Sequence, residues 1–156
     1  MRWNDDGPVR LAGNGRPAEA VRSVVKMTSR TASASPYEIA YGFARAVRAG
    51  NRIVVSSTAP VEPDGTSTPG DAAAQARRCF AIILAAIEEL GGSAADVVRT
   101  RMFITDTDDA DSIGAVHGEL FGTIRPAATM VVVAALLRPE WRIEIEAEAL
   151  VGDETA

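Results

Sequence analysis

The segment RIEIEAEAL, residues 142–150, places Glu144, Glu146 and Glu148 at every second position. In an extended chain this spacing puts Arg142 and the three carboxylates on one side and Ile143, Ile145, Ala147 and Ala149 on the other. A carboxylate can orient a water molecule and accept its proton, or it can belong to a solvated, salt-bridged strand face. Arg99 and Arg101 share one side of VRTRMF and are cations able to answer such a row across a sheet. His117 is the only histidine, with Glu119 two residues on in HGELFG. The pair has the residue types for acid–base work. However, His117 follows Ile113 by four residues and precedes Leu120 by three, at the border of an apolar stripe where a packed histidine is the favoured reading.

Other constellations carry less. DTDDAD, residues 106–111, resembles a calcium loop only superficially, because an EF-hand starting at Asp106 needs glycine and glutamate where Asp111 and His117 stand. Acids just ahead of a helix are explained by capping and the helix dipole. Cys79, the only cysteine, lies in an apolar helical stripe and reads as an inert core thiol. GNG and GG lack the context of a phosphate-binding loop, and the serines of VVSSTAP lack a nucleophile elbow. The polar groups left of interest are Tyr37, Ser56, Ser57, Thr58, His117, Glu119 and the row from Glu144 to Glu148. No metal and no cofactor is expected.

The chain has 156 residues, 47% of them hydrophobic, and a formal net charge of -5. That is one domain's length with an ordinary core. Residues 1–30 hold six basic residues against three acids, so residues 31–156 carry 10 basic and 18 acidic groups, a net of -8. So acidic a domain repels phosphate backbones, and nucleic-acid binding is not expected. A single cysteine, no apolar run of membrane length and no uninterrupted apolar leader point to a cytoplasmic protein without a membrane partner.

These residues need elements to hold them. Residues 1–34, rich in Gly, Pro, Arg, Ser and Ala, read as a poorly ordered extension with a short helical piece at PAEAVRSVV; Met27 is a candidate alternative start. The domain spans 35–152, and 153–156 form a tail. YEIAYGFARAVRAG alternates Ile39, Tyr41, Phe43 and Val47 and pairs as a hairpin with RIVVSSTAP. VEPDGTSTPG is a loop. Asp71 caps a helix whose Ala76, Cys79, Phe80, Ile83, Ile87 and Leu90 fall at helical spacing, closed by Gly91 and Gly92. DVVRTRMFIT is a strand, DDADSIGAVHGELFG a shorter helix, and PAATMVVVAAL and RIEIEAEALV two more strands. The order ββαβαββ predicts an α+β domain with two helices on one face of a mixed sheet. The carboxylate face of the last strand must then meet solvent, another sheet or another subunit.

The collinear set SPYE, IVVSSTAP, DAAAQARRCFAIILAAIEELGGSAADVVRTRMFITD, IRPAAT and RIEIEAEAL resembles the Rid family, also called the YjgF family, over residues 35–151. The resemblance implies a homotrimer of ββαβαββ domains, with sheets facing inward in a chorismate-mutase-like barrel and small-molecule clefts between subunits. It also implies hydrolysis of short 2-imino acids to a 2-oxo acid and ammonia. In members of the RidA type, an arginine in a Pro-Ala-Arg-Ser stretch holds the substrate carboxylate, and the first glutamate of the terminal Glu-Ile-Glu positions water. Glu144 matches that glutamate, and Tyr37 matches a cleft aromatic. The arginine has no match: Pro126, Ala127, Ala128 and Thr129 stand there, with Ala128 at the anchor position. The family's helix asparagine falls at Gly114, its tyrosine at His117, its strand-end glycine at Ser57, and a small residue at Met130. Arg125 lies three positions before Ala128, an odd offset that points it to the other face of a regular strand.

Glu144 is therefore the candidate catalytic residue, and Tyr37, Ser57, His117, Glu119, Ala128 and Thr129 are candidates for binding. Two functions stay open. One is a hydrolase acting on an imine, an enamine or a related electrophile. The other is a trimer that binds a small ligand without transforming it, a reading favoured by the loss of a bidentate charged contact. Ribonuclease action ranks last, given the acidic domain and the lack of stacking aromatics.

Overall fold

The computed structural model describes residues 28–33, 35 and 37–152. Its elements are β1 (Thr28–Thr31), α1 (Tyr37–Tyr41), β2 (Ala46–Ala49), β3 (Arg52–Thr58), α2 (Ala72–Glu89), β4 (Val97–Ile104), α3 (Ala110–Phe121), β5 (Ala127–Val132) and β6 (Ile143–Leu150). The strands form one mixed sheet in the order β1-β2-β3-β6-β4-β5. Only the β4–β5 pair is parallel. Helices α2 and α3 share one apolar core with the inward side chains of β3, β4 and β6. This is the expected α+β architecture.

Helix α2 forms for local reasons. Asp71 accepts a hydrogen bond from the Ala74 amide at 2.9 Å and satisfies one of the free donors of the first turn. Ala76, Cys79, Phe80, Ile83 and Ile87 then place one fully buried stripe against the sheet. Gly91, at φ 79°, takes the left-handed conformation that ends the helix. Gly92 allows close passage, since a Cβ there would meet Ile87 at 2.9 Å.

Two features depart from the sequence expectations. Tyr37–Tyr41 is a short helix rather than the start of a strand, and the alternation of Ile39, Tyr41 and Phe43 is coincidental, for all three are exposed. The Glu38 carboxylate accepts from the amide and hydroxyl of Ser33, while its carbonyl accepts from Gly42 and Phe43. Gly42, at φ 72°, then turns the chain toward β2. The sheet also begins earlier than expected, because Thr28–Thr31 pairs with β2 inside the segment read as an extension. The helical piece expected at PAEAVRSVV, the candidate start at Met27 and the C-terminal tail lie outside the described residues.

β6 sits between β3 and β4 at the centre of the sheet. Ile143, Ile145, Ala147 and Ala149 are buried, while Glu144, Glu146 and Glu148 are half-buried on the other side, as the two-residue period predicts. The register shifts between Val55 and Thr58, a bulge that gives β3 one residue more than β6 has opposite it. Entry into β6 is pinned by Gln75, whose amide donates to the carbonyls of Thr68 (3.3 Å) and Glu140 (3.0 Å) and accepts from the Arg142 amide (2.8 Å). Arg142 also forks onto Asp109 at 2.7 and 2.8 Å.

Replacing buried Gln75 with methionine keeps the volume but leaves these backbone groups unpaired. Gln75→Met is predicted to cost roughly 2–4 kcal/mol, read as a lower denaturant midpoint at unchanged slope.

Candidate functional site

The three carboxylates of β6 have different partners. Glu148 meets Arg52 at 2.6 Å and Arg101 at 3.5 Å, and Glu146 meets Arg101 at 2.9 Å. Of the two arginines expected to answer the row, Arg101 does so; Arg99 is exposed and makes no ion pair among the described residues. Glu144 alone of the three lacks an ion pair among the described residues. It accepts a hydrogen bond from the Ser57 hydroxyl at 2.6 Å. The β3 bulge makes this contact, because Thr58 is in register with Ile145 on the core side and Ser57 is left on the side of Glu144. Ser56 and Thr58 are engaged locally: Ser56 donates to the Ala44 carbonyl and Thr58 to the Ser56 carbonyl, each at 2.8 Å.

A residue missed in the sequence completes this region. The Nη1 of Arg45 donates to Thr58 Oγ1 at 2.8 Å and to the carbonyls of Ser57 and Ser56 at 3.1 and 3.4 Å. Burial pushes the guanidinium down from its usual value, and the charges of Glu38 and Glu144 act the other way. Its Nε is buried and has no acceptor. These bonds depend on the bulge, which a sequence does not display.

A second set stands on the helix-covered face. Ala128 is in register with Thr100, whose Oγ1 lies 2.9 Å from His117 Nε2. The imidazole packs against Phe121 and Phe80, with ring centroids 4.9 and 5.8 Å away. Burial lowers the His117 pKa from its ordinary value, so at neutral pH the ring is uncharged. Thr129, one residue on, is in register with Arg101 and belongs to the opposite face. Glu144 pairs with Phe103 on that opposite face as well. One chain therefore does not bring Ala128 and His117 together with Glu144 and Ser57.

The remaining candidates lie apart from both sets. Glu119 forks onto Arg77 across the exposed surfaces of α3 and α2, and this pairing holds its carboxyl below the usual range. Tyr37 is 51% exposed and stacks on Tyr41 at 5.4 Å between centroids. Arg125 is exposed, with a left-handed backbone at φ 56°. Cys79 is fully buried, and burial raises its thiol pKa well out of the reactive range. Of the acids ahead of α3, Asp106 caps the Asp108 amide and Asp109 pairs with Arg142. Among the described residues no cluster of three His, Cys, Asp or Glu side chains has metal-binding geometry, and no helix is long and apolar enough to cross a membrane.

Comparison with known proteins gives this geometry a context. A family model described as Endoribonuclease L-PSP matches residues 32–151. The 2-iminobutanoate/2-iminopropanoate deaminase of Escherichia coli K12 is 34% identical over 111 residues, covering 69% of this chain and 86% of that protein. The crystal structure of Rv2704 from Mycobacterium tuberculosis, a member of the YjgF/YER057c/UK114 family, is 41% identical with a TM-score of 0.72, over 80% of this chain and 99% of that one. Escherichia coli TdcF with bound serine is 29% identical with a TM-score of 0.67, over 79% of this chain and 94% of that one.

As the only histidine, His117 can be followed without interference. Its depressed folded pKa means that stability is complete above the unfolded value of about 6.5 and falls as the pH drops through it toward the folded value. Nuclear magnetic resonance titration is predicted to give a midpoint below 6.5, and His117→Gln is predicted to flatten stability against pH in that window. A midpoint at or above the unfolded value would contradict the packing described for the ring.

Proposed function

The chain belongs to the Endoribonuclease L-PSP (YjgF/Rid) family, and on that premise we propose that it is a homotrimeric hydrolase of a small imine or a related electrophile. Its clefts lie between subunits, where Glu144 and Ser57 of one copy face Ala128 and His117 of the next. The observation that carries this reading is the state of Glu144. It is the one acid of its row not neutralised by an arginine, and a hydroxyl orients its carboxylate. The opposite-face placement of Ala128 and Glu144 supports a cleft that two copies complete.

The chemistry suited to this arrangement is addition of water to a C=N bond. Glu144 orients the water and takes one proton as oxygen bonds to the imine carbon. The proton passes to nitrogen to give a carbinolamine, a second proton then moves from its hydroxyl to that nitrogen as the C–N bond breaks, and ammonia leaves with a carbonyl compound behind. No redox partner or metal is needed for the atoms to balance. The name of the Escherichia coli relative supports a 2-imino acid as substrate class, and the serine bound to TdcF supports a ligand of amino-acid size.

Ala128 favours a second reading, a trimer that holds a small ligand without converting it. A guanidinium at that position would give bidentate recognition of a carboxylate, and a methyl group gives none. Ribonuclease action fits worst, because residues 31–156 carry a net charge of -8.

Ammonia release from freshly generated 2-iminopropanoate tests the assignment. Glu144→Gln is predicted to slow turnover about a hundredfold or more with little change in melting temperature. Unchanged turnover would remove Glu144 from the mechanism. A wild-type protein that is stabilised by ligand in thermal shift yet releases no product would establish the second reading.

A further inference from the structure

Thr100 is fully buried in the middle of β4, and its hydroxyl needs an acceptor for its proton. Among the described residues its Oγ1 has one hydrogen-bond partner, His117 Nε2 at 2.9 Å. That single contact decides the state of the imidazole. Were Nε2 to carry the ring proton and donate it, the Thr100 O–H would be left buried without an acceptor, at the cost of an unmade hydrogen bond. The hydroxyl therefore donates to Nε2, and in the uncharged ring the proton sits on Nδ1. Nδ1 itself has no hydrogen-bond partner among the described residues. The one buried side-chain polar atom without a partner among those residues is Arg45 Nε, so Nδ1 is open to solvent.

The opening lies on the β5 side. Thr100 pairs with buried Ala147 on one flank and with exposed Ala128 on the other. Gly114, three residues before His117 and so on the same face of α3, leaves room, since a Cβ there would meet nothing within 4 Å. Phe80 and Phe121 back the ring. None of these groups is charged. Arg99 and Arg101 belong to the opposite face of the sheet, in register with Ala127 and Thr129, and Arg77 is held by Glu119. A carboxylate docked here would lose hydration against methyl and aromatic groups and one neutral donor. An uncharged carbonyl oxygen would gain the same hydrogen bond without that penalty.

We propose that His117 Nδ1–H is a recognition donor for an uncharged carbonyl, so that the ligand is a small amide- or ester-type compound rather than a free carboxylic acid. The donor, the hydroxyl that orients it and the space in front of it all belong to one chain. As the specificity of the cleft, the proposal rests on the hydrolase reading above and narrows the imine to one whose neighbouring carbonyl group is amidated or esterified.

The tautomer and the binding preference are tested separately from turnover. Because His117 is the only histidine, its two ring nitrogens can be read directly by nitrogen-15 nuclear magnetic resonance at neutral pH. The expected spectrum has the proton on Nδ1 and an acceptor-type Nε2, and the Nδ1–H resonance moves on addition of pyruvamide. Calorimetry on the full chain is expected to show pyruvamide bound about tenfold more tightly than pyruvate. Thr100→Val keeps the side-chain shape without the hydroxyl, and is expected to lose both the fixed tautomer and the preference for pyruvamide. His117→Phe keeps an aromatic ring without nitrogens, and is expected to bind pyruvamide about tenfold more weakly. A proton on Nε2, an Nδ1–H resonance unmoved by pyruvamide, or a preference for pyruvate would each overturn the proposal. Should either variant fail to fold, the wild-type tautomer and the probe preference decide alone. Ammonia release separates this claim from hydrolysis: pyruvamide held at His117 without turnover of any imine removes hydrolysis and leaves the donor standing, whereas imine turnover with a preference for pyruvate keeps hydrolysis and removes the donor.

Discussion

Burial of Ile143, Ile145, Ala147 and Ala149 beneath α2 and α3 obliges Glu144, Glu146 and Glu148 to leave the central strand on its other face. A slip of one residue would drive three carboxylates into the core, at several kcal/mol for each charge, so the register of β6 is strongly specified. The neighbouring strands follow from it. β4 brings Arg101 to two of the acids, and β3 brings Arg52 to one of them. β3 then resolves its extra residue as a bulge beside the acid left over. The apolar half of the strand thus fixes the polar half, and the position of Glu144 is a consequence of core packing.

That bulge converts a structural necessity into a chemical asymmetry. An ion-paired carboxylate has its lone pairs engaged by an arginine, whereas one held by a hydroxyl keeps acceptor capacity for a water proton. Glu144 therefore differs from Glu146 and Glu148 although the sequence presents them as equivalents. The same irregularity exposes backbone carbonyls that Arg45 satisfies.

Elements encoded by local chemistry were legible in the sequence. Asp71, the helical stripe through Phe80 and the Gly91–Gly92 stop define α2 in consecutive residues, and the strict alternation of RIEIEAEAL defines β6. Tyr37–Tyr41 misled because a short run can show a two-residue period by chance, and the Glu38–Ser33 contacts that decide for helix cross a turn. β1 was obscured because TSRT has no apolar period and is ordered by pairing with β2. Glu144 was legible as a candidate through its place in the terminal Glu-Ile-Glu, and Ser57 through its position at a strand end. The bonding of Arg45 was not, since it depends on a bulge set by pairing β3 with β6, residues far apart in the chain. Glu119, prominent beside His117 in sequence, is drawn off by Arg77 on another helix.

The opposite placement of Ala128 and Glu144 shapes the whole functional account. Strand β5 exposes Val131 and Val132 at the sheet edge, and the charged face of β6 is only half-buried, so both surfaces have area left for a second copy. A cleft between copies would join the neutral, aromatic surroundings of His117 to the charged surroundings of Glu144 across one ligand. The most direct test is the mass of the particle in solution by sedimentation equilibrium across a range of concentrations. A particle of about three times the 16.4 kDa of a single chain, persisting on dilution, is expected. A monomer at every concentration would contradict it, because no cleft joining the two faces would then exist.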